Sequence, residues 1–250
     1  MRDRTGVCSE TGELFLLTEL ANSAVSGLLV NAALLHRSAN SNRRALRREL
    51  VQCQETQKWL LPDEVGICSV TRLNVDKRLL TPHGRTRKPV LSRLMQRCDA
   101  TGTMVQTTEL RRCALTRQMV LPDELERCAL TGLRVSAASL NSHGQIAHLA
   151  RLLDGDARNS RAADHLLPTL QPLDEVFRKA EHAWAIESPN GQTWAVCVEL
   201  RPKLFERRTR YIGFILRMAD QPEILGDGIR GYREQGAFVI EDTLEFTGPE

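Results

Sequence analysis

Cys98-Asp99-Ala100-Thr101-Gly102 returns fifteen residues later as Cys113-Ala114-Leu115-Thr116-Arg117, and again as Cys128-Ala129-Leu130-Thr131-Gly132. Stepping backwards by the same interval gives His83, Cys68, Cys53, Ser38, Ser23 and Cys8. Three residues after each of these anchors stands a hydroxyl: Thr86, Thr71, Thr56, Ser41, Ser26 and Thr11. The phase is unbroken over nine anchors, which marks an internal repeat. Seven residues after the anchor every copy is apolar (Phe15, Val30, Ala45, Leu60, Val75, Val90, Val105, Val120, Val135), and so is every copy twelve after, from Leu20 to Leu140. Eleven after, Glu19, Glu49, Glu64, Glu109 and Glu124 carry a carboxylate and Ser139 a hydroxyl. Two copies read Leu-Pro-Asp-Glu, at 61–64 and 121–124. Proline followed by acids suits a helical first turn, where no amide donor is needed and the dipole favours negative charge. Each unit is therefore expected to run strand, CxxTG turn, short strand and about one helical turn. Fifteen residues cannot bury a core alone, so the units must stack into one elongated body.

Outside the repeats the pattern changes. Residues 1–145 hold 21 Lys or Arg against 14 Asp or Glu, a net of +7, whereas 146–250 hold 13 against 17, a net of −4. Only Phe15 and Trp59 among the aromatics precede residue 175. These shifts divide the chain into a repeat array over 1–147, a short helix and linker over 148–171, and a small domain over 172–250. Ile146, Leu149, Leu152 and Leu153 suit one helical face stopped by Asp154-Gly155, and the polar run 156–164 reads as linker. Pro172 is expected to open a second helix lined by Leu173, Val176, Phe177 and Ala180. Beyond it Trp194, Val196, Val198 and Leu200 alternate after an Asn190-Gly191 turn, as in a hairpin. Tyr211 to Leu216 and Ala237 to Ile240 read as further strands. The fold class expected is α+β: nine hairpin and short-helix repeats, then a small antiparallel sheet with a helix.

The amino terminus lacks an apolar stretch, and the longest apolar segment, 24–35, is too short to span a bilayer. A cytoplasmic protein without a membrane partner is expected. Six of the seven cysteines occupy one repeat column, which suggests reduced thiols rather than a disulfide framework.

Three chemistries are candidates. A convergent run of zinc ligands could come from Cys53, Cys68, His83, Cys98, Cys113 and Cys128. The second position of each turn is Thr or Ser, however, which does not ordinarily ligate zinc, and Ser23 and Ser38 keep the pattern without a thiol. The plainer reading is a small buried side chain at a tight turn, with the hydroxyl receiving a backbone amide; no cofactor is then expected, zinc being the alternative. Secondly, Arg43, Arg44, Arg47 and Arg48, with Arg85, Arg87 and Lys88 three units on, could hold phosphates of nucleic acid without sequence preference, although a charge run is more often a solvated face. Thirdly, Glu187 and Glu199 with Lys203 could form a metal-dependent nuclease centre, but the lysine is misplaced. No phosphate-binding glycine loop, GxSxG elbow or HExxH motif is present.

The phrases Cys113-Ala-Leu-Thr-Arg-Gln-Met-Val-Leu-Pro-Asp-Glu-Leu-Glu-Arg127 and Cys128-Ala-Leu-Thr-Gly-Leu-Arg-Val-Ser136, with the later run from Ser188 to Arg201, resemble repeats in the carboxy-terminal regions of some large bacterial helicase-like ATPases of the Swi/Snf or DEAD-box type. The motor itself is missing, with no Walker lysine and no DEAD-type acidic motif. The resemblance implies an accessory module and carries over no catalytic residue. The expectation is a non-catalytic binding or scaffold module whose partner is a protein, a helicase-like ATPase being the first candidate and nonspecific nucleic acid the second.

Overall fold

The computed structural model describes residues 4–155, 161–188, 191–202 and 208–246. Over these the chain is mostly β, with many short antiparallel pairs followed by one six-stranded antiparallel sheet and a few short helices. It divides into two compact units. One comprises Met1–Arg97 with Gly102–Thr108, the other Cys98–Thr101 with Glu109–Glu250. The compositional boundary lies elsewhere, between 147 and 171, because composition follows the change of strand length whereas compactness follows shared core.

In the first unit, Thr5–Val7 pairs with Leu14–Leu16, Leu20–Asn22 with Leu29–Asn31, and Leu35–Arg37 with Arg44–Leu46; later pairs run to Met95–Arg97 with Met104–Gln106. A single 3₁₀ turn follows each second strand, as at Leu17–Glu19, Ala32–Leu34, Arg47–Glu49 and Pro62–Glu64. The turn between strands closes by the amide four residues after the anchor donating to the anchor carbonyl, for example Gly27 to Ser23 at 2.9 Å and Arg72 to Cys68 at 2.9 Å. That fourth residue has positive φ, between 57° and 75°, at Gly12, Gly27, Asn42, Gln57, Arg72, Arg87, Gly102, Arg117 and Gly132. The final glycine of CxxTG is thus the residue that enters the left-handed region without steric cost.

The apolar column seven after the anchor supplies the core of these hairpins. Val30, Ala45, Leu60, Val75 and Val90 are buried, joined by Leu20, Leu35, Leu46, Leu50, Leu61 and Met95.

In the second unit the sheet is a meander of Arg161–Ala162, Ala180–Glu187, Thr193–Leu200, Arg210–Arg217, Glu223–Glu234 and Ala237–Leu244, each pairing with its sequence neighbour. Alternation along Thr193–Leu200 sends Val196, Val198 and Leu200 to one face, against Leu166, Leu170 and Phe177. Ala195 and Cys197 go to the other, against Leu149, Leu152 and Leu153 of the helix Ala147–Leu153. This second face also receives Cys113, Leu115, Cys128, Leu130 and Val135, so the last two hairpins share the sheet's core.

Three expectations change. The second helix lies earlier, at Leu167–Leu170. Leu173, Val176, Phe177 and Ala180 do face one core, but through a 3₁₀ segment, Glu175–Lys179, whose start is fixed by the Asp174 carboxylate accepting the Val176 amide at 2.9 Å. The segment read as linker contains the edge strand Arg161–Ala162; its residues 156–160 lie outside the described residues, as does Asn190 of the expected turn. The long strand Glu223–Glu234 escaped notice because Gly226, Gly228 and Gly231 interrupt its apolar alternation. Gly226 is required there: it has φ of +63°, and a Cβ would lie 2.5 Å from the Thr131 carbonyl.

Candidate interaction surface

The hairpins are joined by backbone bonds in a fixed register. The amide one residue after the anchor donates to a carbonyl twenty residues on, in the next hairpin: Ser9 to Leu29, Ala24 to Arg44, Ala39 to Trp59, Gln54 to Asn74, Ser69 to Pro89 and Gly84 to Met104, at 2.7–3.0 Å. In the second unit Asp99 donates to Met119 and Ala114 to Arg134 in the same way. Ala129 reaches Gly144 at 2.9 Å, where the loop before the helix Ala147–Leu153 takes the place of another hairpin.

The anchors are buried and their polar atoms engaged. Cys8, Cys53 and Cys113 each accept an amide twenty-three residues on, from Asn31 (3.3 Å), Asp76 (3.4 Å) and Ser136 (3.3 Å). The Leu91 and Leu121 amides lie in the same relation to Cys68 and Cys98. The threonine of the same turn also donates to the sulfur. For Cys8 the Thr11 hydroxyl is the dominant influence; it outweighs burial and holds the thiol at about 7. Burial works to raise Cys68, but Thr71 and the surrounding amides outweigh it and the thiol again sits at about 7. Cys53, Cys98 and Cys113 are lowered by the same balance. The turn hydroxyls accept the amide two residues on, as Ser26 from Leu28 at 3.4 Å and Thr116 from Gln118 at 3.4 Å. At His83, Nδ1 accepts from the Arg85 and Thr86 amides at 3.3 Å each.

Where the anchor is serine the chemistry inverts, because a hydroxyl donates. Ser23 donates to Glu49 and Ser38 to Glu64, each twenty-six residues on, and the same Oε2 atoms accept the Leu46 amide at 2.9 Å and the Leu61 amide at 3.0 Å. Burial acts to raise both carboxyls. Hydrogen bonds from Ser23 and Ser26, and from Ser38 and Ser41, outweigh it and hold them below the usual carboxylate range. These paired residues were missed in the sequence reading. At that position stand Leu34, Leu79 and Leu94 downstream of Cys8, Cys53 and Cys68 and glutamate downstream of Ser23 and Ser38, but Glu109 follows His83 and Glu124 follows Cys98 at the same interval, so the column alone does not single out the serine anchors.

The six candidate zinc ligands, Cys53, Cys68, His83, Cys98, Cys113 and Cys128, each sit in a separate turn. Among the described residues no group of three or more His, Cys, Asp or Glu side chains is gathered as a metal would need. The donor set therefore does not fit zinc. The seven thiols are unpaired.

The basic run is largely engaged as well. Arg43 pairs with Asp63 at 2.6 Å and lies 3.6 Å from Glu64; Arg48 grips Glu10 with both guanidinium nitrogens; Arg47 stacks 3.3 Å above the Trp59 ring. Arg44 has no ion-pair partner among the described residues, and Arg87 and Lys88 are exposed at the His83 turn, where Arg85 also stands with a partner of its own. The Arg48–Glu10 spacing of 38 residues recurs in Arg78–Asn40 and in Arg93–Glu55, the last at 2.6 Å, so these arginines tie together hairpins two apart.

The acidic pair of the sheet does not converge. Glu187 pairs with Trp194 near the hairpin turn while Glu199 pairs with His182. Five residues of strand, about 17 Å at ~3.3 Å each, separate the two positions. Lys203 lies outside the described residues. Cys197 is sealed in the sheet core, where burial pushes its thiol up to about 12.

The chain matches no family model, no curated protein and no solved structure.

Proposed function

We propose that this chain is a non-catalytic binding module, built as an array of nine fifteen-residue hairpin units followed by a small α+β sheet domain. The observation that carries this reading is where the reactive side chains go. The thiols of Cys8, Cys53 and Cys113, the carboxylates of Glu49 and Glu64, and the guanidinium groups of Arg43, Arg48, Arg78 and Arg93 are engaged in hydrogen bonds or ion pairs that join one hairpin unit to another. The resemblance to regions that follow the motor of helicase-like ATPases favours a large protein of that kind as the partner, acting in the cytoplasm, where free thiols persist. No helix among the described residues is long and apolar enough to cross a membrane.

Nonspecific nucleic acid is the second reading, favoured by Arg44, Arg87 and Lys88. With Arg43 and Arg48 in ion pairs, its electrostatic footprint is smaller than the charge run suggests. One or two phosphate contacts correspond to a slope of log affinity against log salt of about −1 to −2. Affinity capture of the intact protein from its native cell, with nuclease treatment as a control, separates the two. A protein recovered in near-equal amount and resistant to nuclease supports the leading reading; recovery of nucleic acid alone refutes it.

A further inference from the structure

The described residues between 146 and 246 include nine arginines. Six are in ion pairs with Asp or Glu, as Arg217 is with Glu223 at 2.8 Å, and Arg233 donates to the Leu152 and Leu153 carbonyls. Arg151 and Arg161 are the two left over. Both are exposed and neither has an ion pair among the described residues; Arg151 keeps only a 3.4 Å bond from Nε to the Ala147 carbonyl of its own helix. These two come from separate elements and line the same cavity, of about 310 Å³, with Ala185, Ile186, Glu187 and Trp194. The sheet explains how they meet. Arg161 stands opposite Ala185 and Trp194 opposite Glu187, so these four share one face, with the two pairs about 7 Å apart along the strand. Arg151 comes from the helix Ala147–Leu153, which packs with Ile186 on the other face. The cavity lies at a corner of the sheet, where the edge strand Arg161–Ala162 pairs with Ala185 and Trp184 and not with Ile186 or Glu187.

We propose that this cavity binds a nucleotide, a nucleoside carrying a terminal phosphate monoester, with the phosphate held by Arg151 and Arg161. Two guanidinium groups without counter-ions suit a ligand with two negative charges. A phosphate monoester carries about −1.5 to −2 near neutral pH and has three oxygens to accept the forked N–H groups of both side chains, whereas a carboxylate carries a single charge. The rest of the lining specifies what bears the phosphate. Trp194 offers an aromatic surface on which a planar base stacks, beside the apolar Ala185 and Ile186. The Glu187 carboxylate is an acceptor only and repels phosphate, so it favours a ligand whose N–H donors lie away from the phosphate, as the amino and ring N–H groups of a nucleobase do. Bare phosphate and a phosphorylated phenol lack those donors. A volume of about 310 Å³, at the lower end of small-molecule pockets, suits a single nucleotide unit. The site is built without Arg44, Arg87 or Lys88 and rests on neither reading of the array's partner.

Titration calorimetry of the full chain with 5′-AMP, adenosine, inorganic phosphate and phenyl phosphate, the head group of phosphotyrosine, tests the assignment. Saturable binding of 5′-AMP, tighter than each of the other three by about tenfold or more and weakened to a similar degree by Arg151→Gln or Arg161→Gln, supports it. Both arginines are exposed, and an unchanged melting temperature shows that the variants are folded. Arg87→Ala, in the array, should leave 5′-AMP binding as it is; loss of binding in that variant would place the ligand on the basic turns and overturn the cavity. On the natural chain the Trp194 indole N–H resonance should shift with 5′-AMP while that of Trp59 stays in place, a readout that depends on no variant. No binding at millimolar 5′-AMP, binding indifferent to both arginine changes, or equal or tighter binding of phenyl phosphate or of phosphate alone overturns the nucleotide. A 5′-phosphorylated oligo(A) separates the two sources of such a ligand. Binding that the arginine changes weaken puts the end of a strand in the cavity, whereas binding of 5′-AMP without the oligonucleotide assigns it a free nucleotide.

Discussion

Exchanging one junction for the other chemistry gives a sharp prediction. Ser38 donates to Glu64, and Glu64 accepts the Leu61 amide; thirty residues on, Cys68 accepts the Leu91 amide and Leu94 stands where Glu64 does. Ser38→Cys alone removes the closer of the two hydroxyl donors, Ser38 and Ser41, from the Glu64 carboxylate, whose side chain is 11% exposed. Glu64→Leu alone leaves both the Ser38 hydroxyl and the Leu61 amide without an acceptor. The first change weakens the hydrogen bonding of a largely buried carboxylate and the second leaves buried polar groups without an acceptor, the latter at a cost of about 1–3 kcal/mol. The double variant rebuilds the Cys68 arrangement, with the new sulfur accepting the Leu61 amide. It is expected to be less destabilised than the sum of the singles by about 1–3 kcal/mol, the size of coupling found between residues in direct contact. Urea unfolding followed by tryptophan fluorescence measures all four chains, and Trp59, stacked under Arg47 in the next hairpin, reports locally. Additivity within ~0.5 kcal/mol would refute the claim that thiol and serine–glutamate are alternative solutions to one junction.

Leu110→Ala, at a buried position, should cost about 2–5 kcal/mol, whereas Leu16→Ala should stay within ~0.5 kcal/mol in the same denaturation assay. Leu125, only partly buried, should fall between them. Burial, with Arg151 nearby, lowers His148 from 6.5 to about 4, so the unfolded chain binds the extra proton first. Stability from this group should be complete above pH 6.5 and decline as pH falls towards 4, by ~3 kcal/mol in all, read from melting against pH. Cys8 and Cys68, at about 7 against 9.0 for a free thiol, act in the same sense at higher pH: melting temperature under reducing conditions should climb from pH 7 to 9. Above 9 Cys197, pushed up to about 12, reverses the trend. A strong chelator should leave the melting temperature unchanged, and metal analysis should find far less than one zinc per chain; unfolding on chelation would restore the zinc reading.

Much of the local design was legible because it recurs. The many short antiparallel pairs and the later antiparallel sheet were expected from the sequence, and the Leu-Pro-Asp-Glu phrases fall on 3₁₀ turns at Pro62–Glu64 and Pro122–Glu124. What escaped notice depends on contacts between distant positions. Serine and glutamate twenty-six residues apart carry no local signal, nor do arginines meeting Glu10 or Glu55 at thirty-eight. The four arginines from Arg43 to Arg48 therefore read as a free patch when two are in ion pairs and one lies on Trp59. In the sheet, Thr193–Leu200 was legible by its alternation. Glu223–Glu234 was not, because close approach to Thr131 demands glycine where the pattern would have an apolar side chain. The shared core of the last hairpins and the sheet was hidden too, since Cys113, Leu115 and Cys128 obey the same fifteen-residue rule as their counterparts elsewhere.

Residue-resolved amide hydrogen exchange on the natural chain tests the hairpin junctions most directly. Asn31, Asp76 and Leu91 have amides that bond the thiol of the preceding hairpin, while the equivalent Leu16 amide has only its own Glu19. Slow exchange at the first three, as slow as the strand amides around them, with fast exchange at Leu16, is the predicted result. Equal rates at all four would contradict the account, because the hairpins would then be folded side by side without the anchor bonds that are held here to join them.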